Sequence, residues 1–172
     1  MNFSGQTIGV VGLGASGLAT ARWLSRHGAD WVVADSRDVP PNQAELARLA
    51  PKAVLRTGAF SAATFADCDQ LVVSPGVPLA TPEIAAFAAA GGKVMGDIEL
   101  FARVVRTLPA RLIAITGSNG KTTVTSLVGH LCREAGLNTV VAGNIGLAAL
   151  DALCEVADIG SPPDAFVLEL SS

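Results

Sequence analysis

The stretch that most constrains this chain is Ile113-Ala-Ile-Thr-Gly-Ser-Asn-Gly-Lys-Thr-Thr123. The apolar run from Leu112 to Ile115 predicts a buried strand, the residues up to Lys121 predict a glycine-bracketed loop, and a helical pattern opens at Thr122. In such a strand–loop–helix the backbone N–H groups of the loop point inward, and the helix N-terminus adds positive potential for an anion. Lys121 then reaches the terminal phosphates of a nucleotide, and the Thr122 hydroxyl is suited to Mg²⁺. The spacing departs from the usual G-x-x-x-x-G-K-[ST] pattern, because Ile115 stands where the first glycine is expected and the loop is the shorter Thr116–Thr122. The alternative reading is a plain strand-to-helix turn with a surface lysine.

A second glycine motif lies near the start of the chain. Thr7–Val11 predicts a short buried strand, Gly12-Leu-Gly-Ala-Ser-Gly17 follows at once, and Leu18–Arg26 predicts a helix that Gly28 terminates. Trp31–Ala34 predicts the next strand, with Asp35 at its end. This is the layout of a dinucleotide fingerprint, with glycines for a tight turn and close phosphate approach and an acid near a ribose. Read alone, the motif suits an NAD-dependent dehydrogenase, or only a tight turn between strand and helix.

Further along, Asn42–Ala50 reads as a helix, Ala53–Leu55 as a short strand and Gln70–Val73 as a clear one, with Ser74-Pro75-Gly76 turning out of it. Thr81–Ala90 reads as a helix with proline in its first turn, Val94-Met95 as a short strand, and Asp97–Val105 as a helix. Asp97 reads as a cap or first-turn acid, and Glu99 as a favourable charge near the helix dipole. Helix gives way to strand near Thr107-Leu108-Pro109. Beyond it, strands are expected at about 111–115, 138–142 and 165–169, and helices at Val124–Ala135 and Leu147–Cys154. The pattern is α/β with parallel sheets.

The net charge is −3, with nine basic and nine acidic residues in 1–106 and three and six in 107–172, so no basic stripe points to nucleic acid. No apolar run reaches the roughly 18 residues of a membrane span, and the first residues lack a basic signal-peptide start. Cys68, Cys132 and Cys154 lie too far apart for a metal cluster or a disulfide framework, which suits a reducing cytoplasm. His27 and His130 carry no assigned role.

Thr116-Gly-Ser-Asn-Gly-Lys-Thr-Thr123 resembles the nucleotide loop of the Mur ligase family, the ATP-dependent amide ligases of peptidoglycan synthesis. Gly12–Gly17, Gly96-Asp-Ile-Glu-Leu-Phe101, Gly143-Asn-Ile-Gly146 and Leu168-Glu-Leu-Ser-Ser172 fit the same family. The resemblance covers the whole chain but only the front part of such an enzyme, so the chain is expected to be an N-terminal fragment that is itself inactive. It implies a Rossmann-like N-terminal domain over 1–106 that holds the UDP part of the substrate, and the first part of a P-loop ATPase-type α/β domain over 107–172. The member it fits best joins D-glutamate to UDP-N-acetylmuramoyl-L-alanine through an acyl phosphate, splitting ATP.

Carried over residue by residue, the resemblance assigns Gly14, Ala15 and Ser16 to the diphosphate, and Asp35, Ser36 and Arg37 to the uridine. Asn144 falls near the diphosphate, and Ser74 and Gly76 fall at the substrate cleft. Gly117, Ser118, Asn119, Gly120, Lys121, Thr122 and Thr123 form the ATP cradle. Thr122 and Glu169 match metal positions, and Lys121, Thr122 and Glu169 are the candidate catalytic residues. The alternative for Glu169 is an ordinary strand-end carboxylate. A non-catalytic nucleotide-binding module is a further alternative to both the ligase and the dehydrogenase.

Overall fold

The computed structural model describes Phe3 and residues 5–171, so Ser172 of the last matching stretch lies outside the described residues. The chain divides into two compact units, residues 1–100 and 101–172. Each is an α/β unit with a wholly parallel sheet.

The first unit contains β1 (Thr7–Val11), α1 (Ala15–Arg26), β2 (Asp30–Asp35), α2 (Gln43–Leu49) and β3 (Val54–Thr57). A 3₁₀ turn at Ala62–Phe65 leads to β4 (Gln70–Val73), α3 (Pro82–Ala89) and β5 (Lys93–Gly96). The strand order is β3-β2-β1-β4-β5. The chain therefore adds strands on one side of β1 and then returns to the other, and the reversal falls between β1 and β4. In an open parallel sheet that switch point, at the carboxyl ends of the strands, is where a ligand crevice forms.

The central strands carry apolar runs because both faces are covered. Side chains alternate along a strand, and Val11, Ala34, Leu71 and Val73 share a core with Phe65 and Ile84. Helix α1 packs on β1 and β2. Gly17 is needed where α1 crosses the end of β1, since a Cβ there would run into the Gly12 carbonyl oxygen.

Helix α4 (Asp97–Val105) straddles the division between the units. The second unit continues with β6 (Arg111–Ile115), α5 (Lys121–Glu134), β7 (Thr139–Gly143), α6 (Ala149–Ile159) and β8 (Ala165–Glu169). Its sheet runs β6-β8-β7, so β8 is central and completely buried. Phe101 and Phe166 meet edge to face at 5.3 Å in its core.

Two expectations are corrected, and one element was not anticipated. Strand β6 is not buried: Leu112 and Ala114 are exposed, because β6 is an edge strand paired only with β8. Helix α6 runs five residues past Cys154 and stops where Gly160 takes a left-handed conformation, φ 73°. The 3₁₀ turn escaped the sequence reading. Its Ser61 and Thr64 close a capping box over a single turn, too short for a periodic signal.

Candidate functional site

In the first unit the carboxyl ends of β1, β2 and β4 meet around the glycine loop. Gly12 N–H donates to the Ala34 carbonyl at 2.7 Å, and the Ser74 hydroxyl donates to the Gly12 carbonyl at 3.1 Å. Leu13 is fixed from two sides: its N–H donates to Asp35 Oδ2 at 2.6 Å, and its carbonyl accepts from Asn42 Nδ2 at 3.2 Å. Helix α1 then starts from Gly14, which supplies no side-chain cap, and its first turn holds no acidic residue. Leu18 N–H is the donor to the Gly14 carbonyl, so the N–H groups of Ala15, Ser16 and Gly17 precede the helical ladder and face the loop mouth. A Cβ on Gly14 would meet nothing within 4 Å, which leaves that approach clear.

Asp35 is buried, and its own chain fills it. Oδ1 accepts from Arg37 N at 2.9 Å and Nε at 2.8 Å, and Oδ2 accepts from Leu13 N and from Arg37 Nη2 at 2.6 Å. A carboxylate has about four lone-pair sites, and all are used. The Arg37 hydrogen bonds, assisted by those of the two backbone N–H groups, pull the Asp35 carboxyl from 3.8 to about 2 against the effect of burial. Ser36 and Arg37 are exposed beside it, and Gly76 is exposed in the turn after β4. Asp97 is the first residue of α4, and its Oδ1 accepts from Ile98 N–H at 2.9 Å. Burial pushes this carboxyl above the ordinary aspartate value.

In the second unit, Gly120 caps α5 in a left-handed conformation, φ 74°, and Val124 N–H donates to its carbonyl at 3.0 Å. The N–H groups of Lys121, Thr122 and Thr123 thus open on the loop of Gly117, Ser118, Asn119 and Gly120. No acid stands in the first turn of α5. Lys121 Nζ folds back onto the Gly117 carbonyl at 2.6 Å, which closes the loop on itself. Thr122 and Thr123 are exposed at the helix start.

Strand β8 aligns Glu169 with Ile115 on one side and Gly143 on the other. The Glu169 carboxylate therefore sits level with the entry to the phosphate loop. It is 6% exposed, and its Oε2 has no hydrogen-bond partner. A buried carboxylate oxygen without a donor fits a cation as its partner. No group of three or more His, Cys, Asp or Glu side chains able to hold a metal occurs among the described residues. Asn144 belongs to this unit. Its N–H donates to the Glu169 carbonyl at 2.9 Å, and its side chain pairs with the Ser171 hydroxyl at 3.1 Å.

Sequence reasoning missed Leu13 and Asn42 as parts of the first loop. The glycine spacing was the available signal for Leu13, but nothing local marks Asn42.

The chain matches the family model for the N-terminal domain of MurD-like Mur ligases over residues 6–96 and that for the Mur ligase middle domain over residues 115–172. It is 58% identical over 172 residues to a UDP-N-acetylmuramoylalanine–D-glutamate ligase of Chromobacterium violaceum and 52% identical over 185 aligned residues to one of Thiobacillus denitrificans. Those alignments cover all of this chain but only 38% and 39% of the relatives. Among solved structures, a UDP-N-acetylmuramate:L-alanyl-γ-D-glutamyl-meso-diaminopimelate ligase from Neisseria meningitides aligns with 95% of this chain and 52% of its own, at TM-score 0.57 and 19% identity. A UDP-N-acetylmuramate–alanine ligase from Thermotoga maritima aligns with 96% of this chain and 37% of its own, at TM-score 0.56 and 22% identity, and at these identities the likeness speaks for the fold. With both family models matched in order along it, the chain belongs to the Mur ligase family.

Proposed function

We propose that this chain carries the UDP-substrate site and the nucleotide loop of an ATP-dependent ligase that adds D-glutamate to UDP-N-acetylmuramoyl-L-alanine in peptidoglycan synthesis. The observation that carries the reading is the pairing of two different anion loops in one chain, Gly12–Gly17 and Gly117–Thr123, each opening on a helix start without an acid. The identity of 58% and 52% to ligases of that name supports the substrate, although the chain spans only about two fifths of their length. A dehydrogenase leaves the second loop without a task. It also asks Asp35 to accept ribose hydroxyls, and that carboxylate already has four donors.

In the proposed reaction the substrate carboxylate attacks the γ-phosphorus of ATP, and ADP leaves as the acyl phosphate forms. The amine of D-glutamate then attacks the acyl carbon, phosphate leaves, and loss of the amine proton gives the amide. The first step brings two anions together, so the residues present must supply positive potential. The α5 N–H groups hold the phosphates of ATP, and Lys121, released from the Gly117 carbonyl, reaches the charge that develops on the transferring group. Glu169 and Thr122 would hold Mg²⁺, which when bound neutralises phosphate charge. Gly14, Ala15 and Ser16 hold the diphosphate of the UDP substrate, Ser36 and Arg37, fixed in place by Asp35, the uridine, and Ser74 and Gly76 further parts of it.

Calorimetry with UDP-N-acetylmuramoyl-L-alanine tests the first site. Saturable binding of that ligand, with no heat from NADH, is expected. Binding of NADH with no response to the UDP ligand would refute the reading. D-glutamate-dependent phosphate release is expected of a protein of the relatives' full length, and not of residues 1–172 alone.

A further inference from the structure

We propose that Thr125 is a positioning residue for Glu169: across the packing of α5 on β8 its hydroxyl serves the carboxylate through one bridging water and holds it in place for a divalent cation. The proposal rests on the reading of Glu169 and Thr122 as a metal site and adds to it a residue from inside the helix.

The register of helix against sheet brings the two residues to one level. Helix α5 leaves the end of β6 and returns to the start of β7, so it runs antiparallel to the strands it covers. Near its last turn Arg133 Nη2 donates to the Thr139 carbonyl at 3.3 Å. Four residues earlier, Gly129 lies against the Val141 side chain. Four residues of helix advance about 6 Å, and two residues of strand about 6.6 Å. Each such step toward the start of α5 therefore moves two residues along β7. The next step reaches Thr125 on the helix and Gly143 on the strand, and Gly143 is aligned with Glu169 of β8. The face agrees with the level. Val141 meets α5, its aligned partner in β8 is Val167, and Glu169, two residues on, returns to the same face of the sheet.

Both side chains are buried there and unsatisfied. Thr125 is fully buried and Glu169 is 6% exposed. Among the described residues neither Thr125 Oγ1 nor Glu169 Oε2 has a hydrogen-bond partner. A threonine inside a helix often returns its hydroxyl to the carbonyl four residues back, and Thr125 does not. The sheet offers Glu169 no side-chain donor on this face, since its aligned neighbours are Gly143 and Ile115. Left alone, a buried hydroxyl and a buried carboxylate oxygen each cost stability, and one shared water satisfies both. A carboxylate has about four lone-pair sites, two on each oxygen. A cation at Oε2 takes one, and the water held by Thr125 takes the other. Outer partners of this kind fix the orientation of a metal-ligating carboxylate.

The first test needs no ligand. Urea midpoints are measured for the 172-residue chain, Thr125→Val, Thr125→Ser, Glu169→Ala and the double variant Thr125→Val with Glu169→Ala. Valine keeps the shape of threonine and removes the hydroxyl. In the wild-type background Thr125→Val is expected to lower the midpoint, and Thr125→Ser to stay closer to wild type. In the Glu169→Ala background the hydroxyl has lost its partner, so Thr125→Val is expected to raise the midpoint. A midpoint raised by Thr125→Val in the wild-type background, or lowered equally in both, would overturn the pairing.

The second test uses Mn²⁺ as the probe, with free ion followed by electron paramagnetic resonance, and does not depend on a Glu169 variant folding. Thr125→Val is expected to weaken Mn²⁺ binding about tenfold, and Thr125→Ser to restore it. Equal affinity of Thr125→Val and wild type would overturn the positioning role. A wild-type chain that binds no Mn²⁺ yet shows the reversal of sign in the urea series would refute the reading of Glu169 as a metal ligand while supporting its pairing with Thr125.

Discussion

Asp35 and the glycines beside it separate what the first loop needs for folding from what it offers a ligand. The Asp35 carboxyl is lowered from 3.8 to about 2 in the folded chain. Because the folded value is the lower one, the group stabilises the protein above its unfolded value, and that contribution is lost as pH falls through about 2. The shift corresponds to about 2 kcal/mol. In urea denaturation Asp35→Asn is therefore expected to cost about that much at neutral pH, with the difference from wild type shrinking as the solution is acidified toward that value. A cost that does not change with pH would contradict the ion-pair account. The glycines divide in the same way. Gly17→Ala pushes a methyl group into the Gly12 carbonyl and is expected to cost about 1–3 kcal/mol or more. Gly14 has an ordinary backbone conformation and open space around its Cβ position, so Gly14→Val is expected to change stability by no more than ~1 kcal/mol. Its bulk instead fills the phosphate approach, so UDP-ligand binding is expected to disappear while the melting temperature holds. A Gly14→Val protein that binds as wild type does would place the diphosphate elsewhere.

Among the elements, α5 and the loop before it decide the fate of a nucleotide. In a protein of the relatives' full length, Lys121→Ala is expected to lower turnover by on the order of 10³ or more, because a charge aimed at the transferring phosphoryl group is lost. Near wild-type turnover would reduce Lys121 to the loop contact it makes with Gly117. The positions of strands, loops and helices were legible because many of the apolar runs end near a glycine or proline that stops them. Which side of an element is covered was not legible. Helix α5 carries Val124, Leu127 and Leu131 at helical spacing, which reads as a core stripe. The helix instead buries Thr125 and Gly129, and packs on β7 and β8. The hydroxyl of Thr125 has no hydrogen-bond partner there. Gly129 leaves no room for a side chain against Val141, so the sheet is approached through small residues while the large ones face away. For the candidate sites, the loops were legible from glycine spacing and from Lys121-Thr122. The groups that fix them were not, since Asn42 reaches the first loop across the fold.

At the scale of the whole molecule, the exposed stripe of α5 lies on the same unit as an incompletely paired sheet. Val124, Leu127 and Leu131 are 47%, 53% and 56% exposed, and Leu112 on β6 is 40% exposed. Strand β6 pairs only with β8, so its other edge presents backbone N–H and C=O groups that no described strand takes up. A parallel sheet normally has covered faces and paired strands. An apolar helical stripe together with an open strand edge favours association between copies. The 172-residue chain is therefore expected to self-associate as its concentration rises, through this unit. Light scattering over a concentration series measures it, and the paired substitution Leu127→Glu with Leu131→Glu provides the control. Both positions are more than half exposed, so the change is expected to leave the fold intact, and circular dichroism checks that it does. The variant is expected to remain monomeric at concentrations where the parent associates, because two charges would have to be desolvated in the contact. A parent chain that stays monomeric throughout, or a variant that associates as strongly as the parent, would show that the stripe and the open edge do not govern assembly.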